Sequence, residues 1–263
     1  MVNHSAAPAT LDTLEVLMNK AWVAPDSQTR QGWTLRSAGS VTQRANSIWP
    51  AGQPKDLAAA LRDATGWYAA RRQPVIFQLT HRPENNALGE LLDQHRFSRQ
   101  SETIIMTAGG EPGSQAPAPD GASIVFSETP SEQWLDLWWR VDGRGGAAEQ
   151  HIARSILLGT PSIYATAVNG QGAAIGTGRI SLIDGWGGVY GMAVHPEYRR
   201  QGVARAILAA LMEAAHSAGT ANFWLMVTAA NTGAQKLYEG AGFAEAGRYH
   251  YRQAPLHRAP SAC

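Results

Sequence analysis

Residues 194–204 read Val-His-Pro-Glu-Tyr-Arg-Arg-Gln-Gly-Val-Ala and separate an apolar run from a helical pattern. The run at residues 187–194 predicts a strand. After it, apolar residues recur at the period of a helix, at Val203, Ile207, Leu208, Leu211 and Ala215. The first turn of a helix has amide N–H groups without intrahelical acceptors, and the helix dipole makes that end positive. Gly202 lets the backbone approach a ligand closely, and Arg199 and Arg200 add cationic donors. The stretch predicts an anion site, although such a loop is also typical of an ordinary helix start.

Two motifs in this half of the chain resemble those of a known family. The pattern Arg199-x-x-Gly202-x-Ala204 resembles the acetyl-CoA pyrophosphate loop of GNAT N-acetyltransferases, and its lead-in Val194-x-Pro196 is similar to theirs too. The family's second motif is similar to Asn231-x-x-Ala234-x-x-Leu237-Tyr238-x-x-x-Gly242-Phe243. The resemblance covers roughly residues 122–252 and implies an α+β fold, with a mixed, mostly antiparallel sheet flanked by helices.

The resemblance also implies roles for the matched residues. Backbone groups of Met192 and Val194 would bond the pantetheine arm, and Asn231 matches a position that often bonds it. The pyrophosphate would be held by the loop, which consists of Arg199, Arg200, Gln201, Gly202, Val203 and Ala204. Tyr238 matches a tyrosine that protonates the departing thiolate.

The chemistry of acyl transfer agrees with these roles. As an amine attacks the thioester, negative charge develops on the carbonyl oxygen, and a strand N–H such as that of Met192 or Ala193 can stabilise it. The departing thiolate then benefits from a proton donor, which the Tyr238 phenol can be. Tyr238 can also be read as an amphipathic core residue of its helix.

The general base is left open by the sequence. Residues 186–193 contain no Asp, Glu or His, and Tyr190 is the one titratable residue among them. Asp184 and His195 flank the stretch, but they are typical of a hairpin turn and of a loop before proline, respectively. A water relay, Asp142 or His151 are alternatives of equal standing. Trp134 and Trp138 share a helix face, which indicates a core position rather than an acceptor pocket.

The N-terminal half repeats the C-terminal half weakly. Setting Phe97 against Phe243 gives an offset of 243 − 97 = 146 residues, at which Leu79, Asn85 and Leu91 match Leu225, Asn231 and Leu237. We therefore expect a degenerate GNAT-like domain at residues 1–108, a linker at 109–121 and the GNAT domain at 122–263. Acetyl-CoA is not expected in the first copy, because it has no phosphate loop and Leu92 stands at the position of Tyr238. Residues 44–50 are read as a surface loop or an acceptor-facing segment.

Composition limits the remaining possibilities. The 263 residues have a formal charge of +1, which indicates no nucleic-acid partner and no anionic membrane surface. No apolar stretch reaches the length of a membrane span, and the single cysteine, Cys263, fits a reducing compartment, so we expect a cytoplasmic protein. The histidines show no paired metal-ligand spacing, so no metal is expected.

These observations lead to one expected function and one alternative. We expect an enzyme, a monomer or a homodimer, that moves an acetyl group from acetyl-CoA to a primary amine of a small molecule or peptide. The alternative is a non-catalytic module that senses acetyl-CoA or binds another protein. Asn231 and Tyr238 beside an intact loop favour the enzyme.

Overall fold

A computed structural model describes residues 10–39, 41–110, 116–143 and 145–255. Its helices are α1 (Leu11–Ala21), α2 (Leu57–Ala69), α3 (Asn86–Gln94), α4 (Glu132–Asp142), α5 (Ala147–Leu158), α6 (Val203–Ser217) and α7 (Thr232–Glu239). Its strands are β1 (Asp26–Arg30), β2 (Trp33–Ser37), β3 (Ile48–Trp49), β4 (Ile76–Thr80), β5 (Ser98–Gly109), β6 (Ser123–Ser127), β7 (Ser162–Val168), β8 (Ala174–Ile183), β9 (Trp186–Val194), β10 (Asn222–Thr228) and β11 (Ala244–Gln253). The predicted α+β class is confirmed. Cys263, Arg144 and residues 111–115 of the expected linker lie outside the described residues.

The chain forms two compact units that differ from the expected domains. Among the described residues, the large unit consists of residues 10–23 together with Ile104–Ala246, and the small unit consists of Ala24–Thr103 together with residues 247–255. The reason lies in long-range pairing. Helix α1 joins the large unit, where the Thr160 hydroxyl donates to the Lys20 carbonyl at 2.8 Å. The end of β11 joins the small unit, where it pairs antiparallel with β4.

In the large unit the strand order is β5-β10-β9-β8-β7-β6. Strands β6 to β9 are antiparallel neighbours, whereas β9 and β10 run parallel. The polypeptide between these two parallel strands forms α6, whose apolar face is buried in the core together with β7, β8 and β10. This arrangement places the loop before α6 at the carboxyl end of β9.

The core of the large unit also contains a buried cation. Arg179 on β8 is 0% exposed, and its guanidinium lies 5.7 to 5.9 Å from the rings of Trp22, Tyr164 and Tyr190. Its Nη1 donates to the carbonyl of Ala21 at 3.3 Å. Because burial is costly for a cation, these aromatic and carbonyl contacts replace lost hydration. Arg179 therefore ties the end of α1 to the central strands of its own unit.

The small unit has the strand order β1-β2-β3-β4-β11. Strands β3 and β4 are parallel, and β4 and β11 are antiparallel. Residues 44–50, expected to be a surface loop or to face an acceptor, instead form a short 3-10 turn followed by β3. Ala45 and Ile48 are both 0% exposed, so this segment belongs to the core.

The two units contain the same series of elements at a constant spacing. Helix α2 begins at Leu57 and α6 at Val203, a difference of 203 − 57 = 146 residues. The same difference separates the first residues of β4 and β10, of α3 and α7, and of β5 and β11. Four consecutive elements thus follow the offset found in the sequence without a gap, which is what a structural duplication predicts.

A packing constraint in the large unit provides a first prediction. A Cβ atom at Gly188 on β9 would overlap the indole of Trp224, which is 0% exposed and donates to the Tyr190 hydroxyl at 3.3 Å. Gly188→Ala should therefore lower the free energy of unfolding by about 1 to 3 kcal/mol. Urea denaturation followed by tryptophan fluorescence measures this.

A matched substitution separates overlap from the general effect of losing a glycine. Gly233 lies near the start of α7 in the same unit, and a Cβ atom there would meet its nearest atom at 3.9 Å. Gly233→Ala should leave the stability unchanged or raise it by up to about 1 kcal/mol. Equal stability of the two variants would contradict the packing described here.

Candidate active site

A β-bulge interrupts β9 near its carboxyl end. Thr177 on β8 pairs with Ala193, whereas Arg179 pairs with Tyr190, so Gly191 and Met192 together stand opposite one residue of β8. Gly191 has a φ of +60°, in the left-handed region that favours glycine. The bulge redirects the backbone at the residue for which a pantetheine contact is predicted.

Two side chains hold the bulge. The Trp134 indole Nε1 donates to the carbonyl of Gly178 at 3.0 Å, and the Thr177 hydroxyl donates to the carbonyl of Gly191 at 2.9 Å. A Cβ atom at Gly191 would lie 2.9 Å from the Trp134 ring, which leaves no room for a larger residue. Trp134 is thus a core residue, as its helical spacing indicates, and it also shapes β9. Thr177 and Gly191 were not found by sequence reasoning, since only the strand register reveals them.

Strands β9 and β10 stop pairing before they end. In the described chain their ladder runs from Asn222↔Trp186 to Leu225↔Val189 and includes no later pair. The backbone of residues 190–194 therefore has its β8 neighbour on one side and no ladder to β10 on the other. Backbone groups on that open side, at Met192 and Val194, can bond an extended ligand.

The loop after β9 is held by its own backbone. The His195 amide donates to the Ile175 carbonyl at 2.9 Å, and Pro196–Tyr198 forms one turn of 3-10 helix. Arg199 Nε donates to the Val194 carbonyl at 3.2 Å, so part of this guanidinium fixes the strand end. Arg200 and Gly202 have φ values of +63° and +86°. Left-handed residues at alternate positions turn the amides of a loop toward one side.

The start of α6 is open. Its N-cap residue is Gly202, which has no side chain to cap the helix, and the first helical hydrogen bond is that of the Ala206 amide to the Gly202 carbonyl at 3.0 Å. The amides of Val203, Ala204 and Arg205 therefore have no acceptor within the helix. Arg200, Gln201 and Gly202 are exposed to solvent. This helix start has the geometry and the dipole that bind a phosphate group.

Tyr238 lies on α7 within the core of the large unit. Its side chain is 8% exposed and packs edge-on against Phe243, with ring centroids 6.1 Å apart. Burial raises the pKa of Tyr238 to about 12, so the phenol is protonated at neutral pH. Its hydroxyl makes no hydrogen bond to any described residue. Met192, Val194 and Val203 pack in the same hydrophobic core as Tyr238.

Asn231 has a defined structural task. Its side-chain oxygen accepts from the Ala234 amide at 3.1 Å and thereby caps α7. Asn231 is exposed, and an amide oxygen can accept a second hydrogen bond, so both polar atoms of this side chain can contact a ligand.

The candidate bases differ in their positions. Asp184 precedes β9 and forms an ion pair with Lys20 at 2.7 Å. It is about eight strand residues from Met192, or about 26 Å, which is too far for proton transfer. His195 follows the other end of β9, and its buried Nδ1 has no hydrogen-bond partner among the described residues. Asp142 ends α4 and His151 lies on α5, and both are exposed.

In the small unit, the helix start that corresponds to the start of α6 carries an aspartate in place of glycine. At the same offset, the counterpart of Gly202 is residue 202 − 146 = 56, which is Asp56. The Asp56 carboxylate caps α2 by accepting from the Ala59 amide at 2.9 Å. A negative charge of the protein itself thus occupies the helix start that would bind a phosphate, and it would repel one.

Two further properties concern the described residues as a whole. Within them, no three His, Cys, Asp or Glu side chains converge in a group that could hold a metal ion. No helix there is long and apolar enough to cross a membrane.

Comparison with known proteins identifies the family. A family model described as "Probable histone acetyltransferase Rv0428c C-terminal" matches residues 9–252. The uncharacterized N-acetyltransferase YobR of Bacillus subtilis is 25% identical over 241 residues, which are 91% of this chain and 96% of that protein. The ribosomal protein bS18 alanine N-acetyltransferase of Escherichia coli is 40% identical over 78 residues, which are 30% of this chain and 51% of that protein.

The fold has close counterparts among solved structures. A GCN5-related N-acetyltransferase from Kribbella flavida superimposes with a TM-score of 0.72 at 18% identity, covering 95% of this chain and 98% of that one. This similarity confirms the GNAT fold that the two sequence motifs predict. Because the family model matches residues 9–252 of this chain, the chain belongs to the Rv0428c C-terminal acetyltransferase family of the GNAT superfamily of N-acetyltransferases.

Proposed function

We propose that this protein transfers an acetyl group from acetyl-CoA to a primary amine of a small molecule or peptide by direct attack on the thioester. The observation that carries the proposal is the open start of α6, which follows the end of β9 that does not pair with β10. One part can bind a pyrophosphate and the other an extended pantetheine arm. The name of the E. coli relative, an alanine N-acetyltransferase, supports an amine acceptor.

The residues present fit acetyl-CoA. The amides of residues 200–204, with Arg199 and Arg200, would hold the pyrophosphate. The backbone of Met192 and Val194 and the side-chain amide of Asn231 would hold the pantetheine arm. Bound acetyl-CoA would supply the thioester carbonyl to this site.

The chain contributes electrostatic stabilisation at that carbonyl. The amide of Met192, which lies in the bulge of β9, would donate to the carbonyl oxygen as negative charge develops. This donor is fixed in advance by Trp134 and Thr177, so no reorganisation is needed during the reaction. Such a donor contributes about 3 to 4 kcal/mol in other acyl-transfer enzymes.

Tyr238 would act on the departing sulfur. Its pKa of about 12 exceeds the ordinary thiol pKa of about 8.5 by about 3.5 units, so complete proton transfer to a solvated thiolate would be uphill by about 5 kcal/mol. Because the site is buried, the thiolate is also desolvated and more basic. We therefore assign Tyr238 the role of a hydrogen-bond donor to the sulfur, which stabilises the thiolate as the carbon–sulfur bond breaks.

Deprotonation of the amine is assigned to His195 or to a water relay. His195 follows β9 at the end nearest to the loop, and its Nδ1 lies 3.9 Å from the Glu197 carboxylate. A non-catalytic module that senses acetyl-CoA is the alternative. It would share the binding residues but would give Tyr238 no function, since a core position does not require a hydroxyl.

Removal of the Tyr238 hydroxyl tests the proposed function. In an assay of thiol release from acetyl-CoA against a panel of primary amines, Tyr238→Phe should lower kcat by about 100-fold or more. The KM for acetyl-CoA should change little, because the phenol acts on the departing sulfur and not on the bound ground state.

A second buried tyrosine provides the control. The Tyr164 hydroxyl donates to the Leu157 carbonyl at 2.6 Å in the same unit, and its ring, which a phenylalanine retains, packs against Trp134. Tyr164→Phe removes a structural hydrogen bond and should retain kcat. If no amine elicits thiol release from the wild type, or if both variants keep full activity, the enzymatic proposal fails.

The bulge provides an independent prediction. Thr177→Val preserves the shape of the side chain but removes the hydrogen bond to Gly191, and it should lower kcat/KM by about tenfold, as expected for about 1.4 kcal/mol. The loss should appear mainly in kcat, because Thr177 positions the amide that acts on the developing charge. Thr177→Ser should restore most of the activity. A Val variant as active as the Ser variant would exclude this positioning role.

A further inference from the structure

The small unit contains a cavity that the proposed reaction does not use. Its volume is about 610 Å³, within the range of sites for small molecules. The lining comes from the end of β4, the start of α3, β5 and β11, and it includes His81, Asn85, Glu90, Arg99, His250 and Arg252. All of these residues belong to the same unit.

A pair of histidines forms one wall. His81 Nε2 lies 2.9 Å from His250 Nδ1 and 3.2 Å from Arg99 Nη2. An arginine can only donate, so His81 Nε2 is an acceptor, and His250 Nδ1 must carry the proton of their shared hydrogen bond. His81 is therefore neutral in this arrangement, with its proton on Nδ1.

Arg252 forms another wall with unused donor capacity. Its side chain is 8% exposed, and its Nη2 donates to Asp93 and to the Phe97 carbonyl. Its Nε is buried without any hydrogen-bond partner among the described residues. A buried guanidinium with an unsatisfied donor is costly, and a bound acceptor would relieve that cost.

The charges around His250 come from each neighbouring segment. They are Arg99 and Glu102 on β5, Arg248 and Arg252 on β11, Glu90 and Asp93 on α3, and His81 and Arg82 after β4. Arg99 and Arg248 share the Glu102 carboxylate, at 3.1 and 3.4 Å. Burial, followed by the charge of Arg99, the neighbouring imidazole of His81 and the charge of Arg252, lowers the pKa of His250 to about 4, and Glu102 offsets this only in part. The local potential at the histidine is therefore positive.

We propose that this cavity binds a small oxyanion, the carboxylate or phosphate group of a metabolite, between Arg99, Arg252 and the His81–His250 pair. The site is separate from the acetyl-CoA site proposed above. It also differs from the start of α2, where Asp56 already occupies the anion position. The ligand would gain charge-assisted hydrogen bonds from Arg99 and from Arg252 Nε, which has no acceptor among the described residues.

Protonation of His250 should be coupled to binding. Without an anion, His250 is neutral above pH 4; with one, its pKa should rise because the charged form gains an opposite charge nearby. Affinity should therefore increase as the pH falls. A rise from about 4 to about 6 on binding corresponds to about tenfold tighter binding at pH 5 than at pH 7.5.

The experiment uses the full chain and inorganic sulfate, whose charge is constant over this range of pH. Sulfate is titrated at both pH values while the His250 imidazole is followed by NMR, with its signal assigned from His250→Gln. We expect saturable shifts, tighter binding at pH 5 and a raised pKa of His250. Parallel titrations with phosphate and succinate decide which of the two oxyanion groups is preferred.

Matched variants test whether sulfate binds in this cavity. Arg99→Gln should weaken sulfate binding at least tenfold, and its side chain is 55% exposed, so the fold should persist. Arg62→Gln removes an exposed arginine from α2 in the same unit and should bind sulfate like the wild type. The proposal is overturned by unsaturable shifts in the wild type, by equal binding in Arg99→Gln, or by a pKa of His250 that sulfate leaves unchanged.

Discussion

The hydrogen bond from the Trp134 indole to the Gly178 carbonyl supports the arrangement on which the active site depends. It fixes β8 opposite the bulge of β9, where the Thr177 hydroxyl holds Gly191 from the other strand. With the backbone redirected there, β9 and β10 cease to pair after Val189 and Leu225. The open end of β9 then leads into the loop, and the loop into the uncapped start of α6. In the proposed function, a thioester and a pyrophosphate would find donors on consecutive segments of one chain.

The duplication gives this arrangement a natural comparison within the same molecule. Helices α2 and α6 begin 146 residues apart, yet one start carries Asp56 and the other Gly202. The carboxylate accepts from the Ala59 amide of α2, whereas Gly202 offers no side-chain acceptor to the first amides of α6. The residue at the N-cap therefore decides whether the helix start is capped by the protein, as in α2, or can bind an anion, as in α6. The small unit instead has its cationic groups beside the histidine pair at the end of β4.

Sequence patterns predicted the parts of this structure that depend on local periodicity. The apolar faces of α2 and α6 and the motif around Gly202 were evident, since a buried helix must repeat at its own period. Strand β1 escaped prediction because Asp26–Arg30 is polar and largely exposed, without alternation. The unit to which α1 and β11 belong could not be predicted, because it rests on partners more than a hundred residues away, such as Thr160 for Lys20. The bulge at Gly191 required the register of β8, and the cap formed by Asn231 required the geometry of α7.

The central claim is that the open start of α6 is the acetyl-CoA site and that Asp56 closes its counterpart. Calorimetric titration of acetyl-CoA into the wild type and into Gly202→Glu tests it most directly. The account predicts one acetyl-CoA per chain for the wild type. We expect Gly202→Glu to lose binding beyond any effect of Gly202→Ala, which imposes the same backbone strain at a φ of +86°; a Cβ atom there would meet no protein atom within 4 Å. Binding of two molecules per chain, or undiminished binding by Gly202→Glu, would contradict it.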